Sequence, residues 1–248
     1  MTDQIGQAIS LVRAAKRIVA FSGAGISTEA GIPDFRSEGG LWENAELMAL
    51  MSAPGFRRDP AGFYRAALQL MPNLHRAEPT AAHGLLAELE ARGKLTAVVT
   101  QNIDGLHQAA GSRVVHEIHG TFRTGHCLNC PARFEMAGFY ERIERGELAA
   151  PCCAECGGPI KPDVVLFGDM LPFEVWGQAV GAVTKCDLLL VLGSSLVVYP
   201  AAELPQAAVA AGAQLMIVNR EGTDCDHLAT VVLRTQLGEF ARQTLAAL

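Results

Sequence analysis

The chain has no apolar run approaching the roughly 18 residues that a membrane span needs. Its densest apolar stretch, Leu188 to Leu192, is of strand length. The N-terminus, MTDQIGQAIS, has no basic segment leading into an apolar one, the mark of a secretory signal. A cytoplasmic protein with no membrane contact is therefore expected. Positive charge is not in excess either: 20 Lys and Arg stand against 26 Asp and Glu, a formal net charge of −6. A nucleic-acid-binding body would show a basic stripe, so no direct nucleic-acid contact is expected. Internal repeats, low-complexity tracts and coiled-coil heptads are missing, and a monomer is expected. Half of the 248 residues are apolar and only 19% are charged, enough for the core of one large α/β domain or one and a half.

Cysteine, by contrast, is well represented. Seven thiols in a chain without a secretory signal favour metal binding or catalysis over disulfides. Cys127, Cys130, Cys153 and Cys156 form C-x2-C-x22-C-x2-C, the spacing of a tetrahedral structural Zn²⁺ site. All four positions are thiols, so no coordination position is left open for metal catalysis. Cys152 is an alternative ligand, but only Cys153 gives the two-residue spacing to Cys156. Gly157-Gly158-Pro159 fits the knuckle that gives backbone N–H groups to the sulfurs. Phe134, Phe139, Tyr140 and Ile143 predict a small helix packed on this unit. Cys186 and Cys225 are read as structural.

Apolar periodicity predicts helices over 3–15 (Ile5, Ile9, Val12), 80–92 (Leu85, Leu86, Leu89, closed by Gly93) and 204–211, with short helices in 41–75. Strands are predicted over 17–21, 95–100, 162–169, 187–192 and 215–218, with another at 230–234. Most end in glycine-rich or polar turns. This pattern is that of a doubly wound, Rossmann-like parallel sheet with a nucleotide across the strand carboxyl ends. Ser22 to Gly31 is a glycine-rich turn between a strand and an expected helix, a setting for phosphate, although its spacing is not G-x-G-x-x-G. A tight turn that merely needs glycine explains it equally.

After the strand 95–100 come Gln101, Asn102, Ile103 and Asp104, and fifteen residues later His119. Amide, carboxylate and imidazole together are able to hold a water, polarise a sugar hydroxyl and move a proton. A polar turn with satisfied side chains is the alternative. His83 and His107 are read as structural, and His116 competes with His119 for the role of base.

Taken together the pieces resemble the sirtuins, NAD-dependent protein deacylases, from about Arg17 to Gly238. The resemblance rests on Gly23-Ala24-Gly25-Ile26-Ser27, Pro33-Asp34-Phe35-Arg36-Ser37, Thr100 to His107, His119-Gly120, the two cysteine pairs, Pro162 to Gly168, Gly193-Ser194-Ser195-Leu196, and Asn219 with Glu221. It implies one zinc and NAD as consumed co-substrate. Gly23, Ala24, Gly25, Thr28, Asp34, Phe35 and Arg36 would line the NAD pocket. Gln101, Asn102, Ile103 and Asp104 would hold the nicotinamide ribose and carboxamide, with Asn102 and Asp104 counted as catalytic. Gly193, Ser194, Ser195, Asn219 and Glu221 would take the adenosine half, with Gln236 and Leu237 at its far end. His119 would be the general base. Val165, Phe167 and Gly168 would pair with the backbone of an acylated-lysine peptide by strand addition. The resemblance also divides the chain into an NAD-binding domain (1–30, 76–121, 160–248), an inserted cofactor loop and helical module (31–75) and a zinc module (122–159).

Departures are informative. Ser194 replaces a frequent threonine, and Thr235 a frequent glycine. Relatives acting on acidic acyl groups carry Tyr-x-x-Arg in the helical module; here Tyr64 is followed at that distance by Ala67. An apolar acyl pocket is expected, unless Arg65 turns inward. The implied products are free lysine, nicotinamide and O-acyl-ADP-ribose. A mono-ADP-ribosyl transferase using the same NAD site, a zinc-containing dehydrogenase and a silent NAD-binding module are the competing readings.

Overall fold

The structure, a computed structural model, describes residues 2–34, 44–71 and 74–248. Its larger sheet has six strands: β1 (Ile18–Ser22), β2 (Leu95–Thr100), β3 (Val115–Glu117), β7 (Leu188–Leu192), β8 (Gln214–Val218) and β9 (Val231–Leu233). All pair in parallel, in the order β3-β2-β1-β7-β8-β9. Every residue of β1 and of β7 is buried, which is why both read as unbroken apolar runs. Their side chains nonetheless alternate between two cores. Ile18 and Ala20 face α1 (Thr2–Ala14), α5 (Ala81–Ala91) and α10 (Leu237–Ala247). Val19 and Phe21 face α8 (Phe173–Val183) and α9 (Leu204–Ala210). Covering both faces with helices makes the sheet doubly wound, as expected. The helix α8 is not signalled in the sequence, because it is apolar on most sides and carries two glycines.

The chain winds outward in both directions from the boundary between β1 and β7. There the turns after the two strands press backbone on backbone. Gly25 N–H donates to Gly193 C=O at 2.9 Å. A Cβ on Gly25 would lie 2.7 Å from Gly193 Cα, and one on Gly193 would lie 2.5 Å from Ile26 N. Gly193 also has φ 60°, in the left-handed region.

A second, antiparallel sheet holds β4 (Gly120–Cys127), β5 (Arg133–Glu135) and β6 (Ile160–Val164), in the order β5-β4-β6. The strand expected at 162–169 as part of the large sheet is therefore β6 of the small one. Its alternating burial is that of a half-exposed strand. The small sheet spans Gly120 to Val164. It shares a core with the helical insert, α2 (Ala45–Leu50), α3 (Ala53–Arg58) and α4 (Pro60–Leu70). The Phe63 and Phe122 rings stack at 6.5 Å. Tyr64 donates to the Ile160 carbonyl at 2.7 Å, and Tyr140, on α7 (Ala137–Glu144), donates to that of Phe122 at 2.9 Å.

At the tip of this lobe the thiols of Cys127, Cys130, Cys153 and Cys156 all lie within 4.8 Å of one another. The Cys127–Cys156 and Cys130–Cys153 sulfurs are 3.4 and 3.6 Å apart. A tetrahedral zinc with Zn–S near 2.3 Å requires about 3.8 Å, so the set fits the ion. Cys153 is buried, while Cys152 is exposed and bridges to Pro159. Cys153→Ser is expected to lower bound zinc from about one ion per chain to near none, whereas Cys152→Ser keeps it. Atomic emission on purified variants checks this, and equal loss in both would refute the assignment.

Candidate active site

The carboxyl ends of all six parallel strands open into a cavity of about 940 Å³. β1 delivers Gly23, Ala24, Gly25 and Thr28, and Asp34 lies further along the same segment. β2 delivers Gln101 to Asp104, and β3 delivers His119. β7 supplies Gly193, Ser194 and Ser195, β8 supplies Asn219 and Glu221, and β9 supplies Gln236 and Leu237. The segment after β6 closes the cavity with Val165, Phe167 and Gly168. The other two expected cofactor residues, Phe35 and Arg36, lie outside the described residues.

The turn after β1 differs from expectation in one respect. No α-helix follows it; two 3-10 turns do, Ala24–Ile26 and Thr28–Ala30. Gly31, left-handed at φ 81°, ends them, and Pro33 follows closely. The space left by Gly23, Gly25 and Gly193 is filled by each other's turns rather than by a ligand. What remains for a phosphate is a set of backbone donors. The N–H groups of Ala24, Ser194 and Ser195 border the cavity and meet no acceptor among the described residues. Such a cradle fits a pyrophosphate.

The side chains beside it are held by hydrogen bonds. Asn102 is buried, and its Nδ2 donates to the Gly23 carbonyl at 3.2 Å and to Ser27 Oγ at 3.1 Å. Both amide protons are thus used, and Oδ1 is left as an acceptor. Ser27 Oγ donates in turn to Asp104 Oδ2 at 2.6 Å, and Leu106 N–H donates to Asp104 Oδ1 at 3.0 Å. Gln101 Nε2 donates to Ser194 Oγ at 2.9 Å, tying the β2 end to the β7 end. His119 Nδ1 lies 3.1 Å from the Gln101 carbonyl. A carbonyl only accepts, so Nδ1 carries the proton and Nε2 is the basic nitrogen. Burial holds the His119 pKa below the usual histidine value, against the opposing hydrogen bond to Gln101. His116 does not line the cavity; it sits on β3 and hydrogen-bonds Gln178 on α8. Of the two histidines, His119 alone borders the cavity.

On the substrate side Val165 N–H donates to the His119 carbonyl at 2.8 Å. Phe167 N–H donates to Met51 O at 3.3 Å, and Ala53 N–H to Phe167 O at 3.1 Å. Both backbone groups of Phe167, expected to pair with a peptide, thus bond to the helical insert. The Val165 carbonyl and both backbone groups of Gly168 have no partner among the described residues. Lys161 fastens this loop, donating to Val164 O at 2.7 Å and pairing with Asp169 at 3.4 Å. Beneath it Met51, Met71, Leu74, Phe122 and Leu166 line an apolar wall. Tyr64 is wholly buried away from the cavity. Arg65 is exposed and borders a separate groove shared with Glu144 of α7, so it does not turn inward.

Ser27 and Glu29 also border the cavity, and the sequence reading passes over both. Ser27 was legible only as part of Gly23 to Ser27, while Glu29, which accepts from Gly238 N–H at 2.8 Å, pairs across 209 positions with nothing local to announce it.

The family described as Sir2 matches residues 23–200. The chain is similar, at 45% identity over 240 residues, to the NAD-dependent protein deacylase 2 of Archaeoglobus fulgidus, covering 96% of this chain and 94% of that protein. It is 43% identical over 229 residues to the NAD-dependent protein deacetylase 2 of Caldanaerobacter subterraneus, covering 92% and 89%. Among solved structures, Sir2Tm bound to a propionylated peptide superposes with a TM-score of 0.88 at 38% identity, covering 98% of each chain.

Beneath the β2 turn lies a buried polar network. Ser22 Oγ meets Thr100 Oγ1 and His107 Nε2, each at 2.8 Å, and the His107 ring packs 4.7 Å from that of His83. Burial lowers both pKa values, to about 3 for His107 and about 4 for His83. In the unfolded chain both take up protons near pH 6.5, so as pH falls from 6.5 towards 4 the unfolded state binds more protons and stability drops. A loss on the order of 2 kcal/mol per histidine is expected by pH 5. Urea unfolding at pH 7 and pH 5 tests this; the shift should shrink in His107→Gln, and a pH-independent midpoint in the wild type would contradict it.

Proposed function

The chain belongs to the Sir2 family, and from that premise we propose that it removes acyl groups, acetyl first, from protein lysines. NAD is consumed, and nicotinamide, O-acyl-ADP-ribose and free lysine are released. The observation that carries this reading is the convergence of Asn102, Asp104 and His119 with the unpaired N–H groups of Ala24, Ser194 and Ser195 in one cavity.

Bound NAD supplies an activated ribose carbon that an amide oxygen, itself a poor nucleophile, is able to attack. The residues do the rest. The backbone donors of Ala24, Ser194 and Ser195 take the pyrophosphate, with Gly23, Gly25 and Gly193 setting the turns that present them and Thr28 and Asp34 beside them. Asn219, Glu221, Gln236 and Leu237 take the adenosine end. Asn102 offers Oδ1 to a hydroxyl or water. Asp104, its charge fixed in place by Ser27 and Leu106, favours positive charge developing nearby. Gln101 and Ile103 complete that wall, and Nε2 of His119 accepts the ribose proton. Val165, through its carbonyl, and Gly168 offer hydrogen bonds to an acylated-lysine peptide, and the Phe167 side chain borders its acyl group. The larger sheet thus handles NAD, and the small lobe with its helical insert handles the peptide, held in shape by the zinc. A reducing, cytoplasmic setting agrees with four thiols placed for a metal rather than for disulfides. No described helix is long and apolar enough to cross a membrane.

Mass spectrometry of an acetyl-lysine peptide with and without NAD tests the reading; a peptide that gains ADP-ribose instead of losing acetyl would replace it with a transferase. His119→Ala is expected to lower kcat/KM by about 10²- to 10⁴-fold while calorimetry still shows NAD binding. Because the neutral ring is the base and its pKa is lowered, kcat/KM should fall on acidification with a midpoint below that of a free histidine, about pH 6.5. In an acyl series, acetyl, propionyl and butyryl should outpace succinyl roughly tenfold or more, since the apolar wall offers no cation to a carboxylate.

A further inference from the structure

Asn102, Asp104 and His119 face the cavity, but two other histidines stand behind them. His83 on α5 and His107 on α6 (Leu106–Ala109) are 0% and 1% exposed, and neither borders the cavity. An imidazole is a costly filler for a buried space, because its nitrogens lose their water. Nε2 of His83 and Nδ1 of His107 find no partner among the described residues. What the rings supply is therefore the bond that each makes through its other nitrogen.

Those two bonds run to the backs of the turns after β1 and β2. Ser22 Oγ donates to Thr100 Oγ1 at 2.8 Å and lies 2.8 Å from His107 Nε2. The one hydroxyl proton of Ser22 is spent on Thr100, so His107 Nε2 donates to Ser22. Thr100 Oγ1 also accepts the Asn102 N–H at 3.0 Å. Ser22 and Thr100 are opposite each other on β1 and β2 and immediately precede Gly23 and Gln101. A continuous line of hydrogen bonds thus runs from His107 through two hydroxyls to the backbone of Asn102. His83 reaches the other turn. Thr80 N–H donates to His83 Nδ1 at 3.1 Å, and Thr80 Oγ1 donates to the Ile26 carbonyl at 3.1 Å. The two rings meet edge to face at 4.7 Å, so each limits the tilt of the other. The side chain of Asn102 is fixed separately, through Gly23 and Ser27. Aiming Oδ1 into the cavity needs both the side-chain bonds and a fixed backbone beneath them.

We propose that His107, braced by His83, is a positioning residue for the chemical step: its hydrogen bond through Ser22 and Thr100 sets the backbone of Asn102 and so the aim of Asn102 Oδ1. The proposal rests on the deacylase reading for its kinetic consequence, and on the hydrogen bonds alone for its geometry.

The test replaces the donor at position 107. A glutamine amide places an N–H near the position of imidazole Nε2, whereas a leucine side chain offers no donor. With each variant shown to be folded by circular dichroism, His107→Leu should lower kcat about 10- to 100-fold. The KM for an acetyl-lysine peptide and the calorimetric Kd for NAD should stay within about twofold. His107→Gln should recover kcat to within about threefold of the wild type. In an Asn102→Ala background His107→Leu should cost less than about twofold more, because the residue through which it acts is gone. Hydrogen exchange, read by mass spectrometry, should quicken over residues 99–104 in His107→Leu but not in His107→Gln, with 188–192 unchanged in both. Where His107→Leu does not fold, Thr100→Val, which removes the acceptor of the Asn102 N–H at nearly the same shape, should give the same loss of kcat. An unchanged kcat in His107→Leu, an equal loss in both variants, or a full loss that persists in the Asn102→Ala background overturns the proposal. So does unchanged exchange over 99–104. If the wild type deacetylates nothing, yet exchange over 99–104 follows the side chain at 107 as stated, the positioning stands and the deacylase reading falls.

Discussion

The contact on which the rest depends is the one between two turns, Gly23 to Gly25 after β1 and Gly193 after β7. No side chain fits between them, and Gly25 N–H reaches the Gly193 carbonyl. That approach brings the two halves of a doubly wound sheet together at the point where their winding diverges. Asn102 is fixed to the first turn through the Gly23 carbonyl. Gln101 is fixed to the second through Ser194, and His119 is fixed to Gln101. Asn102 and Gln101 thus take their positions from these turns, and His119 and Asp104 follow through Gln101 and Ser27.

The small lobe is attached to this centre by short links. β4 begins at Gly120, immediately after His119, and Phe122 N–H donates to the Ile103 carbonyl at 3.1 Å. The far end of the same strand carries Cys127, a zinc ligand. One eight-residue strand therefore connects the cysteine cluster to His119. The helical insert joins the same body through the Phe56, Phe63, Tyr64 and Phe122 rings. Sequence reading kept the two inserts apart because nothing local shows that Tyr64 and Ile160, 96 positions apart, are bonded.

Much of the large sheet was legible because its information is local. A strand buried on both faces is an apolar run, and a strand end at the ligand edge is a polar or glycine-rich turn; Leu188 to Ser195 displays both. The cysteine spacing is equally local. What escaped was decided by partners distant in sequence. β3 is three residues long and only half-buried, so its signal was too weak to read, although its end positions His119. The strand at 160–164 carried the right propensity but joined the other sheet, because its alternating face is filled by the small lobe. The glycines after β1 suggested room for phosphate, and the room is taken by another turn.

The hydrogen bond from His119 to a backbone carbonyl also restricts where a proton is able to go. In hydrolases that place a carboxylate behind the histidine, the ring's positive charge is shared with a neighbour. The Gln101 carbonyl takes no proton and carries no full charge, so the ring holds what it accepts until a group on the cavity side removes it. A proton taken up at Nε2 therefore leaves through the cavity, by the opening through which a ligand enters.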